Sequence, residues 1–171
     1  MNEINIIDAS LSEIVEGGES RRKELRDKIV TLEKAILDIP GTTYGDQFPL
    51  KHSFGDGLYA REIQTPAGQI IVTKIHRFAH PFFLLKGKAI IVTEEGEKTI
   101  EAPYWGITPA GTKRALYIVE DVIWVTVHRV NIKENGTTEQ DLKSIEKDII
   151  ELEKDNPLFE VIEGEKIDLL G

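Results

Sequence analysis

Three of the four histidines, His76, His80 and His128, fall in the stretch from Gln69 to Arg129. Neutral imidazole is the commonest protein ligand of transition metals. Three imidazoles around one ion, with coordination positions left open, form a catalytic arrangement for zinc or iron. The chain has no cysteine, so thiolate sites and disulfides are excluded. His76 and His80 stand four apart, a spacing that on a helix places both on one face. The run Ile70-Ile71-Val72-Thr73-Lys74-Ile75-His76 is β-branched, and Pro81 blocks a helix beyond His80. In one straight strand four residues span about 13 Å, too far for two ligands of an ion bound at about 2 Å. Joint ligation therefore requires a bend at Arg77-Phe78-Ala79. His128 shares a strand face with Trp124 and Thr126. If that face points inward, His128 joins the pair; if outward, it is a surface residue. Two readings stay open: one bound divalent transition metal (Zn, Fe, Ni or Mn) on His76, His80 and His128, or histidines held by hydrogen bonds alone.

Cations stand nearby. Lys74, Lys113 and Arg114 are either rim residues paired with Glu62, Glu120 or Asp121, or an anion clamp with Arg114 gripping a carboxylate or phosphate. Arg114, Lys74 and Trp124 are the candidate ligand-binding residues. His52, in Leu50-Lys51-His52-Ser53-Phe54, reads as a loop histidine, solvated or structurally bonded. Phe82, Phe83, Tyr104, Trp105 and Tyr117 read as core or interface. The sequence shows neither a phosphate-cradling glycine loop nor a positioned Ser-His-Asp set.

The elements that must position these residues are mostly strands. Short runs rich in Val, Ile, Phe and Tyr are cut by Gly, Pro and charged pairs, the signature of many antiparallel strands in a barrel or sandwich. Leu58–Ile63 alternates as a half-buried strand, and Pro66-Ala67-Gly68 turns the chain. Ala115–Val119 and Val122–Val130 read as a hairpin around Glu120-Asp121, which would set His128 opposite Lys113 and Arg114.

Before the barrel, Glu19–Leu37 reads as a helix capped by Ser20, with Leu25, Ile29, Leu32 and Ile36 on one stripe. Its stripe packs on the barrel or joins subunits as a short coiled coil. Ile4, Ile6, Ile7, Leu11 and Ile14 are too apolar for a free tail. Gly41–Gly57 reads as loop. After the barrel, Thr138 with Asp141 approximates a capping box, and Leu142, Ile145, Ile149 and Leu152 give a second helical stripe. Residues 158–171 are a weak strand candidate. The expected organisation is an N-terminal helical segment 1–41, a barrel 42–133, and a C-terminal helix and tail 134–171.

The barrel segment resembles the cupin family, over roughly Leu58 to Val130. The first cupin motif has two histidines one residue apart, then a glutamate, then a glycine after an apolar strand. With Gly87 matched to that glycine, His80 stands at the glutamate, His76 at the second histidine and Lys74 at the first. The second motif, Pro-x-Gly followed by a histidine, resembles Pro109-Ala110-Gly111, with Arg114 at the histidine position. The resemblance implies a mainly β, cupin-like double-stranded β-helix with flanking N- and C-terminal helices. The whole pattern is also similar to small uncharacterised cupin-like proteins of tailed phages and prophages, which implies a viral setting.

The formal net charge of −9 over 171 residues disfavours nucleic acid and anionic membranes as partners. No apolar run approaches a membrane span of about 20 residues, and no secretory signal is evident. The expected setting is cytoplasmic, in the host cytoplasm or the virion if phage-encoded. Two functions remain: a phage accessory or virion structural protein assembling as a homo-oligomer beside other virion proteins, or a small metal-dependent enzyme acting on an anionic molecule.

Overall fold

The computed structural model describes residues 3–42, 47–130 and 139–151, the side chains of 3–16 and 139–141 excepted. A long helix, α1 (Glu3–Leu37), precedes eight strands. These are β1 (Leu50–Gly55), β2 (Leu58–Thr65), β3 (Ile70–Val72), β4 (Ile75–His76), β5 (His80–Thr93), β6 (Gly96–Glu101), β7 (Tyr104–Thr108) and β8 (Arg114–Arg129). A short helix, α2 (Glu139–Ile149), runs directly into β9 (Ile150–Glu151).

β5 and β8 form the spine of the barrel, and each serves two layers. The first half of β5 pairs with β7 and with the second half of β8, which in turn pairs with β2 and through it β1. The second half of β5 pairs with β6 and with the first half of β8, which pairs with β3. All these pairings are antiparallel. Phe82, Leu84 and Trp124 of the first layer close on Ala89, Ile91 and Ile118 of the second to make the core.

Both long strands bend where the layers meet. The β5–β8 register shifts between Leu84 and Ala89, and inside that window Gly87 adopts a φ of 82°. A Cβ on Gly87 would lie 2.2 Å from the Asp121 carbonyl oxygen. Only glycine accepts both the left-handed backbone and that approach. This corner replaces the hairpin expected at Glu120-Asp121. β8 passes through those residues without turning, because each half finds its own partners on both sides. His128 therefore stands beside Tyr59 of β2, and Arg114 beside Thr93 of β5.

Two other expectations change. The segment read as loop between Gly41 and Gly57 contains β1, which pairs residue for residue with β2 and carries His52. The N-terminal helix does not begin at Ser20 but runs from Glu3 through Gly17 and Gly18. Ile4, Ile7, Leu11 and Ile14 already fall at steps of three and four, so the helical period begins well before the glycine pair. Two glycines cost about 1 kcal/mol each relative to alanine, which a helix of this length absorbs.

α1 packs on the barrel. Ile29 is buried, Leu25 and Ile36 are half-buried, and Leu32 of the expected stripe is exposed. The buried position beside Ile29 is taken by Glu33, whose Oε1 accepts a 2.7 Å hydrogen bond from Lys113 Nζ. Both side chains are at most 5% exposed. Arg26 adds bonds to Glu94 and to the Gly111 carbonyl. Lys113 thus holds the helix and is no part of an anion clamp. The Thr138 cap, Leu152 and residues 158–171 lie outside the described residues. Among those described, no helix is long and apolar enough to cross a membrane.

Two stability predictions follow from these contacts. Gly87→Ala should lower unfolding free energy by about 3 kcal/mol, from left-handed strain plus the Asp121 clash, as read from urea midpoints. Lys113→Ala should cost about 3–5 kcal/mol by stranding a buried carboxylate, whereas Lys113→Met combined with Glu33→Leu should come out near neutral.

Candidate metal centre

The bend required by the histidine spacing is present. β4 ends at His76, residues 77–79 turn, and β5 begins at His80. This folds the imidazoles of His76 and His80 to 4.3 Å between ring centroids. The Trp124-Thr126-His128 face points inward, with all three side chains buried. His128 lies 5.0 Å from His76 and 4.4 Å from His80 by the same measure. One ligand nitrogen from each ring falls within 4.8 Å of the other two.

The chemistry of the donor set fits one transition ion. Bonds of about 2.0–2.1 Å place donor nitrogens at most about 4.2 Å apart across an ion, so a small closure of this cluster suffices. The His80 Nδ1 lies 3.3 Å from the Phe78 carbonyl oxygen. A carbonyl only accepts, so Nδ1 carries the proton and Nε2 presents its lone pair. That Nε2 is buried and has no hydrogen-bond partner. A buried unsatisfied acceptor costs about 1–3 kcal/mol, a cost that a bound cation removes.

Electrostatics keep all three rings neutral. Burial is the main cause in each case. It pushes His76 down to about 2, with the positive charge of neighbouring imidazoles and of Arg114 and Arg61 adding to it. It pushes His80 to about 4 against an opposing hydrogen bond to Phe78, and His128 to about 3. Neutral imidazoles are the ligand form.

His76 and His128 open onto a cavity of about 580 Å³. Arg114, Arg61, Tyr59 and Trp124 line it as well. Arg114 crosses the core to donate from Nη1 to Thr108 Oγ1 at 2.9 Å, and its Cζ sits 5.6 Å from the Trp124 ring and 5.7 Å from that of Phe82. Burial lowers its pKa to about 10, so it stays charged at neutral pH. Among the described residues no carboxylate forms an ion pair with it. Arg114 and Trp124 line the cavity, and Lys74 reaches its wall. Lys74 is ion-paired to Glu146 of α2, however, and serves to hold that helix.

The sequence reading missed four contributors. Arg61 and Tyr59 face inward on β2 and could have been found from its alternation, since Ile63 shares their row. His52 is structurally bonded, one of the two readings, but on strand β1 and not in a loop: its Nδ1 lies 2.8 Å from the Tyr59 hydroxyl, and Tyr59 stacks on His128 at 6.1 Å. The fourth is α2–β9. β9 pairs with β4 at His76↔Ile150, and the Arg77 amide donates to the Ile149 carbonyl. No local signal in the sequence announces that contact.

The fold is cupin-like. No family model matches the sequence, and no curated protein matches it. Among solved structures, a conserved protein of unknown function from Streptococcus pyogenes is 21% identical, with 52% of this chain and 78% of that chain covered at a TM-score of 0.43. A cupin superfamily protein from Desulfitobacterium hafniense is 11% identical over 53% of this chain and 84% of its own, at a TM-score of 0.44. The cupin domain of a Schizosaccharomyces pombe protein is 17% identical over 62% and 77%, at a TM-score of 0.43.

The depressed imidazole pKa values fix a pH dependence. Each ring titrates near 6.5 when unfolded and at about 2–4 when folded. The unfolded chain then binds more protons below pH 6.5, so stability of the metal-free protein falls as pH drops through that window. Melting temperature measured between pH 7 and pH 4.5 should decline, and His128→Phe should flatten the decline by about one proton's worth.

Proposed function

We propose that this chain is a cupin-fold metal protein. His76, His80 and His128 hold one divalent transition ion, and Arg114 holds the acidic group of a small molecule bound against it. The observation that carries this reading is the convergence of three buried neutral imidazoles, one with an orphaned lone pair. When bound, an ion with three neutral ligands keeps its double charge and acts as a Lewis acid toward an oxygen in an open position. The chain's own residues do the rest. Burial keeps the imidazoles deprotonated, Phe78 sets the His80 tautomer, and Arg114 supplies a fixed cation beside the stacked rings of Phe82 and Trp124. Ile63, Ile71 and Val122 add apolar wall to the cavity, beside polar residues such as Gln69 and Thr73.

Elemental analysis of protein purified without added metal should find close to one Zn, Fe, Ni or Mn per chain, and His80→Ala and His128→Ala should lose it. Substoichiometric metal unaltered by His76→Ala would remove the proposal. Arg114→Met should keep the metal and weaken oxalate binding about 10- to 100-fold by calorimetry, the worth of one charge-assisted hydrogen bond.

A second reading keeps one support. α1 is 35 residues long, and among the described side chains those that bond the barrel run from Arg22 to Glu33, a helix length that an assembly element would use. In that reading the chain is an oligomeric scaffold, in the phage or virion setting that the sequence resemblance implies. Light scattering beside its virion partners tests it, and a chain that never assembles counts against it.

A further inference from the structure

The cavity around the three histidines is unbalanced in charge. Among the described residues two carboxylates line it, Glu33 and Glu146, and each is taken by a lysine, Glu33 by Lys113 and Glu146 by Lys74. Arg114 lines the same cavity, is 5% exposed, and among the described residues pairs with no carboxylate. The histidines bring no counter-charge either, because the cluster holds three neutral rings and no acidic residue.

The guanidinium stands close to those rings. Its Nη1 donates at 2.9 Å to Thr108 Oγ1, and Thr108 is the ladder partner of His80. Its Cζ lies 5.7 Å from the ring of Phe82, two residues along β5 from His80. Its positive field reaches all three imidazoles, where it adds to burial in disfavouring a bound proton. Arg61 of β2 adds to that field at His76 and His128. A field that disfavours one positive charge on these rings disfavours a divalent ion about twice as strongly, because Coulomb energy is linear in charge.

We infer, on the metal reading proposed above, that the ion and its acidic ligand bind synergistically, each weakly alone and tightly together, with Arg114 as the residue that couples them. An ion alone adds two charges beside a buried cation. An acid alone meets Arg114 but leaves the lone pair of His80 Nε2 unsatisfied. Together they bring opposite charges into one desolvated cavity, where attraction is screened least. The ligand class is thereby narrowed to anions small enough to touch both the guanidinium and the ion, and a neutral analogue would leave the positive charge unrelieved. An ion that survives purification is one that has kept its anion.

Calorimetric titration of zinc chloride into the metal-free full chain, with and without oxalate, tests this. Oxalate should tighten zinc binding about 10- to 100-fold, an ordinary size for coupling between sites. Arg114→Met removes a residue that is no metal ligand, yet zinc alone should bind the variant at least about fivefold more tightly than wild type, and oxalate should no longer help. Arg114→Lys, which keeps the charge, should keep the coupling. Free oxalate takes up zinc equally in every protein, so that loss cancels in the comparison. Zinc bound equally tightly with and without oxalate overturns the synergy and leaves the metal reading standing. Coupling of undiminished size in Arg114→Met overturns the role of Arg114. No zinc bound in either condition overturns both the synergy and the metal reading. Should Arg114→Met fail to fold, Arg114→Gln takes its place with the same expectations, and the wild-type comparison decides the synergy by itself.

Discussion

β5 and β8 are hydrogen-bonded to each other from Phe82 to Thr93, and both bend where Gly87 meets the Asp121 carbonyl. That shared corner lets one pair of strands serve two layers. It sends the second half of β8 inward at Trp124, Thr126 and His128, and it leaves Arg114 in the other layer with its side chain crossing the core. Without the corner, the strand pair would lie in one sheet. The imidazole and the guanidinium would then have no common cavity to face.

Charge in the interior follows a simple division. Imidazoles can shed a proton and do so under burial; a guanidinium cannot, and stays cationic in the same cavity. The buried Lys113–Glu33 pair solves the same problem differently, by bringing its own counter-charge from α1. Arg114 is stabilised instead by a hydroxyl and two aromatic faces, weaker compensation than an anion would give.

Much of this was legible in the sequence, for reasons that can be named. The β-branched runs and the Pro81 block fixed strands around the histidines, and bond-length arithmetic then demanded the bend at residues 77–79. The two-residue period of β8 grouped Trp124, Thr126 and His128 before their direction was known. What failed was local reading of a long strand. Glu120-Asp121 looks like a turn because both residues are exposed and polar, yet the bend there is made by Gly87 on the neighbouring strand. The glycines around β1 hide it, and the carboxylates that pair with Lys74 and Lys113 come from α2 and α1, not from Glu62, Glu120 or Asp121, the partners of one of the two readings. Partners remote in sequence leave no periodic trace.

One small feature ties the cavity to α2 and β9. His76 sits on a two-residue strand whose ladder partner is β9, and Lys74 and Arg77 on either side are also bonded to α2 and β9. The orientation of the third imidazole is thus set by residues more than seventy positions away. By thermodynamic linkage, a ligand that gained from a correctly placed His76 would tighten the grip of α2–β9 on the barrel by the same factor.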